Sequence, residues 1–323
     1  MKLSIIVVNY RSWGYLQAAL ESLQPGFPAD WEIIVVDNES QVEPFEEFQA
    51  RFPWVTFVAN AHNSGFGAGC NLGAARAAGS SLLFMNPDVV ANSKNIRALL
   101  KVKEKHPDVA LLSPRQVDAN GRPQKVFDDF PDLINQSKIL KALLRILRPS
   151  QYRKPRADQS SLIYCDWITG SFLLVSREDF DAIGGWSEDY WMYVEEADLC
   201  RRAENMGLRV AYAPNVQVVH AHGGSSRINV EVKAMTKLEV IISKHVYAHK
   251  HFLGPRRRMM HILIAGLRLP VLTIAAFLDL LTLRQVPALR VRGKILADLR
   301  KYYAGVRKSG SWLSPRAIEN QLE

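Results

Sequence analysis

Four short stretches in the first ninety residues are largely apolar and read as strands: Leu3–Val8, Glu32–Asp37, Val55–Ala59 and Ser81–Asp88. Three of them stop at polar groups, namely Asn9, Asp37 and Asn86-Pro-Asp88. Between them lie segments with helical spacing, Tyr15–Leu23 and the small-residue stretch Gly69–Ala78. A half-exposed strand alternates apolar and polar residues, whereas a strand covered on both faces does not. Continuous apolar strands separated by helices therefore predict an α/β fold with a parallel sheet between helical layers. Such sheets bind ligands beyond the carboxyl ends of their strands. Asn9, Asp37 and Asp88 all fall at such ends, which places them around one cleft.

The pattern continues with a helix over 92–106, a strand and turn over Leu111–Gly121, and a strand over Asp166–Val175. A short helix over Arg177–Ile183 and a last strand over Val210–His220 follow. Over Ser137–Arg148, Ile139, Leu140, Leu143, Leu144 and Leu147 share one helical face, opposite Lys138, Lys141, Arg145 and Arg148. This design suits a basic membrane-facing helix and an ordinary amphipathic helix equally. The 323 residues, 48% of them hydrophobic, suffice for a real core. Three separated cysteines, Cys70, Cys165 and Cys200, point to a reducing compartment without a disulfide framework. The opening apolar run is short for a secretory leader and reads as a buried strand.

The net charge of +9 belongs to the end of the chain. From Gly254 onward there are 13 Lys and Arg against 4 Asp and Glu, and residues 1–253 balance at 28 of each sign. The tail opens with Arg256-Arg257-Arg258 and continues into the apolar stretch Met259–Leu283, broken by His261, Arg268, Pro270 and Asp279. Its length suits a bilayer span, but the internal charges and proline argue against a simple one. Helices lying in the interface fit best; a hairpin or span, and packing on the domain or a partner, are the alternatives. Nucleic acid is disfavoured, because the basic residues alternate with aliphatic runs instead of stacking or polar residues. The expected division is a catalytic domain over 1–253 and a membrane-associating helical segment over 254–323.

Chemistry concentrates in Trp186–Arg202, which packs Glu195, Glu196 and Asp198 into four positions beside Arg201 and Arg202. Carboxylates that close repel one another and are costly to desolvate; alone, the run also reads as the acidic first turn of a helix. The glycines of Gly65–Gly73 lead into a helix and suit close approach to a phosphate, though not in the dinucleotide register. At Asn86-Pro-Asp88 a strand-end carboxylate suits a hard cation bridging phosphate oxygens, or simply a turn.

Taken in order, these motifs resemble a family 2 glycosyltransferase of the GT-A fold, in the rhamnosyltransferase-like branch that builds bacterial surface polysaccharides. The resemblance rests on Ser4-Ile-Ile-Val-Val-Asn-Tyr10, Val35-Val-Asp-Asn-Glu-Ser40, Asn63-Ser-Gly-Phe-Gly-Ala-Gly-Cys-Asn71 and Met85-Asn-Pro-Asp88. Thr169-Gly-Ser171, Gly184-Gly-Trp186, the acidic segment and Val218-Val-His-Ala-His-Gly-Gly-Ser225 complete it. It covers about residues 3–227. It implies a mixed sheet flanked by helices, with the basic, apolar helical appendage following.

The resemblance also implies roles. Asn9, Asp37 and Asn38 would hold the nucleotide, with Asn71 and Asn86 in the donor pocket. Asp88 matches the last position of the family's Asp-x-Asp metal motif, whose first position is Asn86 here. His220 would help bind the cation, Mg2+ or Mn2+, with His222 the alternative. Glu196 matches the catalytic base, and Glu195 is the second candidate. Asp198 and Arg202 would flank and orient this segment, while Trp186, Trp191 and Tyr193 would offer the acceptor an aromatic platform or else pack in the core. The implied activity is inverting transfer of L-rhamnose from dTDP-rhamnose to a polyprenyl-diphosphate-linked or glycan acceptor. It would occur on the cytoplasmic face of the inner membrane, with the protein peripheral. A UDP- or GDP-sugar donor, and a non-catalytic nucleotide-sugar-binding scaffold, are the alternatives.

Overall fold

In the computed structural model, which describes residues 2–40, 45–134, 136, 146–147, 162–221 and 230–322, the apolar runs form the centre of a nine-stranded sheet. β1 (Leu3–Asn9) is buried throughout and β2 (Trp31–Asn38) nearly so. They pair in parallel, with Asn9 opposite Asp37. β3 (Thr56–Asn60) adds in parallel to β2, and β4 (Ser81–Met85) in parallel to the other side of β1. Parallel neighbours need crossovers, supplied by α1 (Trp13–Leu23), α2 (Phe45–Arg51) and α3 (Phe66–Arg76).

Beyond β4 the sheet becomes mixed. β5 (Val89–Val90) follows the Asn86–Asp88 turn, and α4 (Ser93–Lys105) leads to β6 (Val109–Val117). β7 (Phe127–Asp128) and β9 (Trp167–Ile168) form a separate two-stranded sheet, and β8 (Ile163–Tyr164) lies between them in sequence. β10 (Phe172–Ser176) runs antiparallel between β4 and β6. α5 (Arg177–Ile183) and α6 (Glu195–Asn205) precede β11 (Arg209–His220), which is parallel to β6 and antiparallel to β5 and β8. The order is β3-β2-β1-β4-β10-β6-β11-β5, with β8 joined to β11.

Two expected elements change at their ends. The strand expected through Asp88 stops at Met85, because Asn86-Pro-Asp88 turns the chain. The strand expected over Asp166–Val175 divides into β9 and β10 at Thr169-Gly-Ser171. Local signals fix other ends. Asn92 and Asn95 form a reciprocal capping box at α4. Ser176 caps α5, which terminates at Gly184 with φ 84°.

By contacts the chain forms two units. The first comprises Met1–Phe130, Pro155–Glu188 and Glu195–Ser225; the second comprises Pro131–Lys154, Asp189–Val194 and Ser226–Glu323. The expected boundary at 253/254 falls inside the second unit. Its helices are α7 (Val230–His251), α8 (Gly254–Leu281), α9 (Pro287–Ser309) and α10 (Pro315–Leu322). Pro270 does not break α8, which continues through it for 28 residues. α7, α8 and α9 pack on one another around an unusually polar interior. There, His245 Nδ1 lies 2.8 Å from His261 Nδ1, His245 Nε2 meets the Tyr303 hydroxyl at 2.8 Å, and the Trp312 ring stacks on His261 at 3.7 Å. The helix expected over 137–148 lies outside the described residues, except Ile146 and Leu147, which are helical and exposed.

Candidate active site

The carboxyl ends of β1 and β2 are tied together by buried side chains. Asn9 is 0% exposed, and its amide donates to Asp37 Oδ1 at 2.9 Å and to Ser40 Oγ at 3.3 Å. The Ser40 hydroxyl also donates to Asp37 Oδ1, and its backbone N–H reaches Oδ2 at 3.1 Å. Asn9 thus holds Asp37 from within the sheet. Asn38 is equally engaged: it donates to Gly65 O at 2.9 Å and Asn63 Oδ1 at 3.0 Å, and accepts from Asn60 at 2.8 Å. Arg11 and Glu39, just beyond these strands, have φ of 52° and 63°, a left-handed geometry that non-glycine residues adopt rarely. Such departures gather where a fold positions functional groups.

The glycine run serves packing. Its helix begins at Phe66, three residues before the expected start, so Gly67, Gly69 and Gly73 lie inside α3. A Cβ on Gly73 would sit 2.5 Å from Ile6 Cγ2, and one on Gly69 2.9 Å from Val8 Cγ1. Only bare backbone lets α3 approach β1 this closely; added methyls here would cost about 1–3 kcal/mol each. The expected phosphate cradle is therefore a helix–strand contact along most of the run. Asn71, on the same helix, donates to Trp186 O at 2.9 Å and Glu188 Oε1 at 2.8 Å, and accepts from Trp186 N–H at 3.0 Å. It anchors the segment that leads toward the acidic cluster.

Asp88 and His220 are brought together by the short β5–β11 pairing, in which His220 is opposite Val89 and Ala221 N–H bonds to Asp88 O at 2.9 Å. His220 Nε2 is 3.1 Å from Asp88 Oδ1. The other ring nitrogen, Nδ1, is 2.8 Å from Gln116 Oε1, which also accepts from Ser171 Oγ at 2.9 Å; Thr169 Oγ1 extends the chain at 3.2 Å. In the tautomer whose Nδ1–H donates to Gln116 Oε1, Nε2 is left with its lone pair toward Asp88, an arrangement that a cation shared by the two groups would stabilise. A nitrogen and a carboxylate oxygen converging in this way suit a shared divalent cation. Among the described residues no group of three or more His, Cys, Asp and Glu forms a complete metal cage. Asn86 is half-buried beside this pair, its backbone bonded to Ser171 and Val89. His222 lies outside the described residues.

The acidic segment opens α6. Glu195, Glu196 and Asp198 occupy its first turn, where the helix dipole favours negative charge. The two residues before it, Tyr193 and Val194, have φ of 70° and 71°, and a β-branched residue there is a true outlier. Their environments separate the carboxyls. Glu195 is 4% exposed with Oε2 unpartnered, and burial, then the neighbouring Glu196, raises its pKa well above the usual carboxyl range. Glu196 is half-exposed. Asp198 is fully buried and accepts from Arg202 Nε at 2.7 Å; the same guanidinium donates to Ile183 O at 2.6 Å and Gly185 O at 2.8 Å. Asp198 and Arg202 therefore fasten α6 to the end of α5.

Neither tryptophan offers an open platform. Trp186 is 2% exposed and packs edge-on against Phe66 and Phe84. Trp191, in the second unit, is 4% exposed beneath the Arg316 guanidinium. Both bury too much ring area to be left for a sugar. Gln116 was not among the expected site residues; its one signal was a polar residue near the carboxyl end of a strand, where it follows Ser113, Pro114 and Arg115.

The model of the family described as "Glycosyl transferase family 2" matches residues 4–184, more than half of the chain. The chain belongs to glycosyl transferase family 2. It is therefore a glycosyltransferase, and its relatives place it near the rhamnosyltransferases of that family. It is 28% identical over 234 residues to N-acetylglucosaminyl-diphospho-decaprenol L-rhamnosyltransferase of Mycobacterium tuberculosis, covering 68% of this chain and 75% of that one. It is 26% identical over 224 residues to rhamnosyltransferase WbbL of Escherichia coli, covering 67% and 82%. Among solved structures, the mannosyltransferase PcManGT of Pyrobaculum calidifontis, in complex with GDP-Man and Mn2+, shares the fold with a TM-score of 0.53 at 16% identity. That match covers 93% of this chain and 86% of the other.

Proposed function

We propose that this family 2 enzyme is an inverting, metal-dependent rhamnosyltransferase. It takes L-rhamnose from dTDP-rhamnose and delivers it to a sugar on a polyprenyl-diphosphate carrier, at the cytoplasmic face of the inner membrane. The convergence of Asp88 and His220, oriented by Gln116, carries the metal-dependent part of this reading. The names of the mycobacterial and Escherichia coli relatives support the sugar, and that of the mycobacterial relative the lipid carrier.

Asp88 and His220 would hold Mg2+ or Mn2+, which supplies charge neutralisation for the departing diphosphate as a Lewis acid. Asp37, braced by Asn9 and Ser40, and Asn38 form the wall against which the nucleotide lies, near Asn86. Glu196 takes the proton from the acceptor hydroxyl as its oxygen attacks the anomeric carbon. Attack opposite the leaving diphosphate inverts that carbon, and no enzyme nucleophile is required. The environments of the two glutamates support this assignment: Glu195 is buried, its carboxyl pushed well above the usual range by that burial and by Glu196, whereas Glu196 is only partly buried. Asp198 and Arg202 keep the helix start in place.

The test is thermal stabilisation by a panel of nucleotide sugars, with and without Mn2+. A ligand at about 100 times its dissociation constant adds roughly 2.7 kcal/mol, a readily measured shift. Mn2+-dependent stabilisation by dTDP-rhamnose is expected. Stabilisation by a UDP- or GDP-sugar instead overturns the sugar, and no response to any donor favours a scaffold role.

A further inference from the structure

We infer that the second unit docks in the plane of a bilayer surface bearing anionic headgroups, with α8 sunk by one side and α9 lying at the lipid phosphates. This deepens the membrane placement proposed above and rests on it. α8 is built inside out. A surface helix normally turns its polar stripe to water, yet here His261 and Asp279 face the interior while Ile262, Val271, Ile274, Phe277 and Leu281 are each about 60% exposed or more. An apolar surface of this extent marks a contact site.

Length and composition alone allow α8 to cross a bilayer. Its neighbour argues against crossing. A short connection, in which Leu283 and Arg284 take left-handed conformations, returns the chain onto α8 as α9. The interior positions of α9 are Val291, Ile295, Leu296, Leu299 and Tyr302. Its exposed face carries Arg290, Arg292, Lys294, Arg300, Lys301 and Arg307. Packed helices lie about 8–10 Å apart, so a spanning α8 would draw these cations into hydrocarbon, where each is strongly disfavoured. Lying in the plane resolves the conflict. The apolar side of α8 enters about 5–10 Å, to the acyl boundary, and the basic face of α9 meets headgroup charge. Charge complementarity selects the occupant: α9 has seven Lys and Arg against one Asp, matched to an anionic surface better than to a second copy of the same basic helix.

Co-flotation of the full chain with vesicles tests this, comparing phosphatidylcholine alone with phosphatidylcholine containing phosphatidylglycerol. Binding should require the anionic lipid, weaken with salt, and be stripped by alkaline carbonate. At roughly fivefold per charge near an anionic surface, the R290Q/R292Q/K294Q variant should bind about 100-fold more weakly. The I274S/F277S/L281S variant, altered only at exposed positions, should lose flotation while remaining folded. Resistance to carbonate would overturn the inference in favour of a span. Flotation unchanged in both variants would overturn it outright, as would a wild-type dimer that the serine variant dissociates without changing flotation. Donor-induced thermal stabilisation on the same preparations separates this from the transferase reading, since docking can fail while donor binding persists.

Discussion

His220 Nε2 faces Asp88 Oδ1 at 3.1 Å because Gln116, on the neighbouring strand β6, holds the opposite nitrogen of the imidazole at 2.8 Å. Outer groups of this kind set both the tautomer and the aim of a ligating histidine. Gln116→Leu keeps the approximate volume and removes the hold on Nδ1. It should weaken Mn2+ binding by about 10–100-fold, read by Mn2+ titration with bound nucleotide. Metal-free nucleotide binding should be unchanged, and Gln116→Asn should recover little, because its shorter arm does not reach. Unchanged Mn2+ affinity in the leucine variant would remove Gln116 from the site.

The adjacent glutamates should respond differently to the same change. Glu196→Gln should lower kcat by about 10²–10⁴-fold, the usual share of a general base, with donor stabilisation retained. Glu195→Gln should act on stability. Its folded carboxyl pKa is raised by burial, so the unfolded chain ionises first as pH rises. The stability this carboxyl contributes is full below the ordinary carboxyl pKa and is lost as pH climbs toward the folded value. Melting curves should therefore show the glutamine variant gaining on the wild type from pH 4.5 to pH 8. A gain that shrinks over that range would contradict the burial argument.

The second unit should lose stability in the opposite direction. Burial, then the neighbouring His261, lowers His245 from 6.5 to about 3, and burial, then His249 and Arg257, lowers His261 to about 4. Each is neutral when folded, while the unfolded histidines take up protons below about 6.5. Stability is thus retained above that pH and falls as the pH drops from about 6.5 toward 4. Calorimetry over this window should show the decline, and His261→Gln should flatten it. A wild-type midpoint constant from pH 7 to pH 4 would refute the neutral pair.

The strands and their polar ends were legible because a two-sided buried strand writes its environment directly into sequence. Leu3–Asn9, Trp31–Asn38 and Ser81–Met85 lie where their apolar runs indicate. The glycines of α3 misled, because the same absence of a side chain serves a phosphate or a close helix–strand contact; Ile6 and Val8 reveal which. α7 was not anticipated. Its inner face is interrupted by Glu239, Ser243 and His245, whose partners Ser314 and Arg316, Met192 O, and His261 and Tyr303 lie far away in sequence. Gln116 was hidden for the same reason, since its partners Ser171 and His220 are 55 and 104 residues distant.

Sugar transfer itself is the most direct readout. Purified protein should be incubated with dTDP-rhamnose, Mn2+ and a polyprenyl-diphosphate-linked N-acetylglucosamine, and the lipid product analysed by mass spectrometry and NMR. A single added deoxyhexose with inverted anomeric configuration is expected, absent in Asp88→Ala and strongly reduced in Glu196→Gln. A retained configuration, or transfer undiminished in the Asp88 and Glu196 variants, would contradict the proposed mechanism.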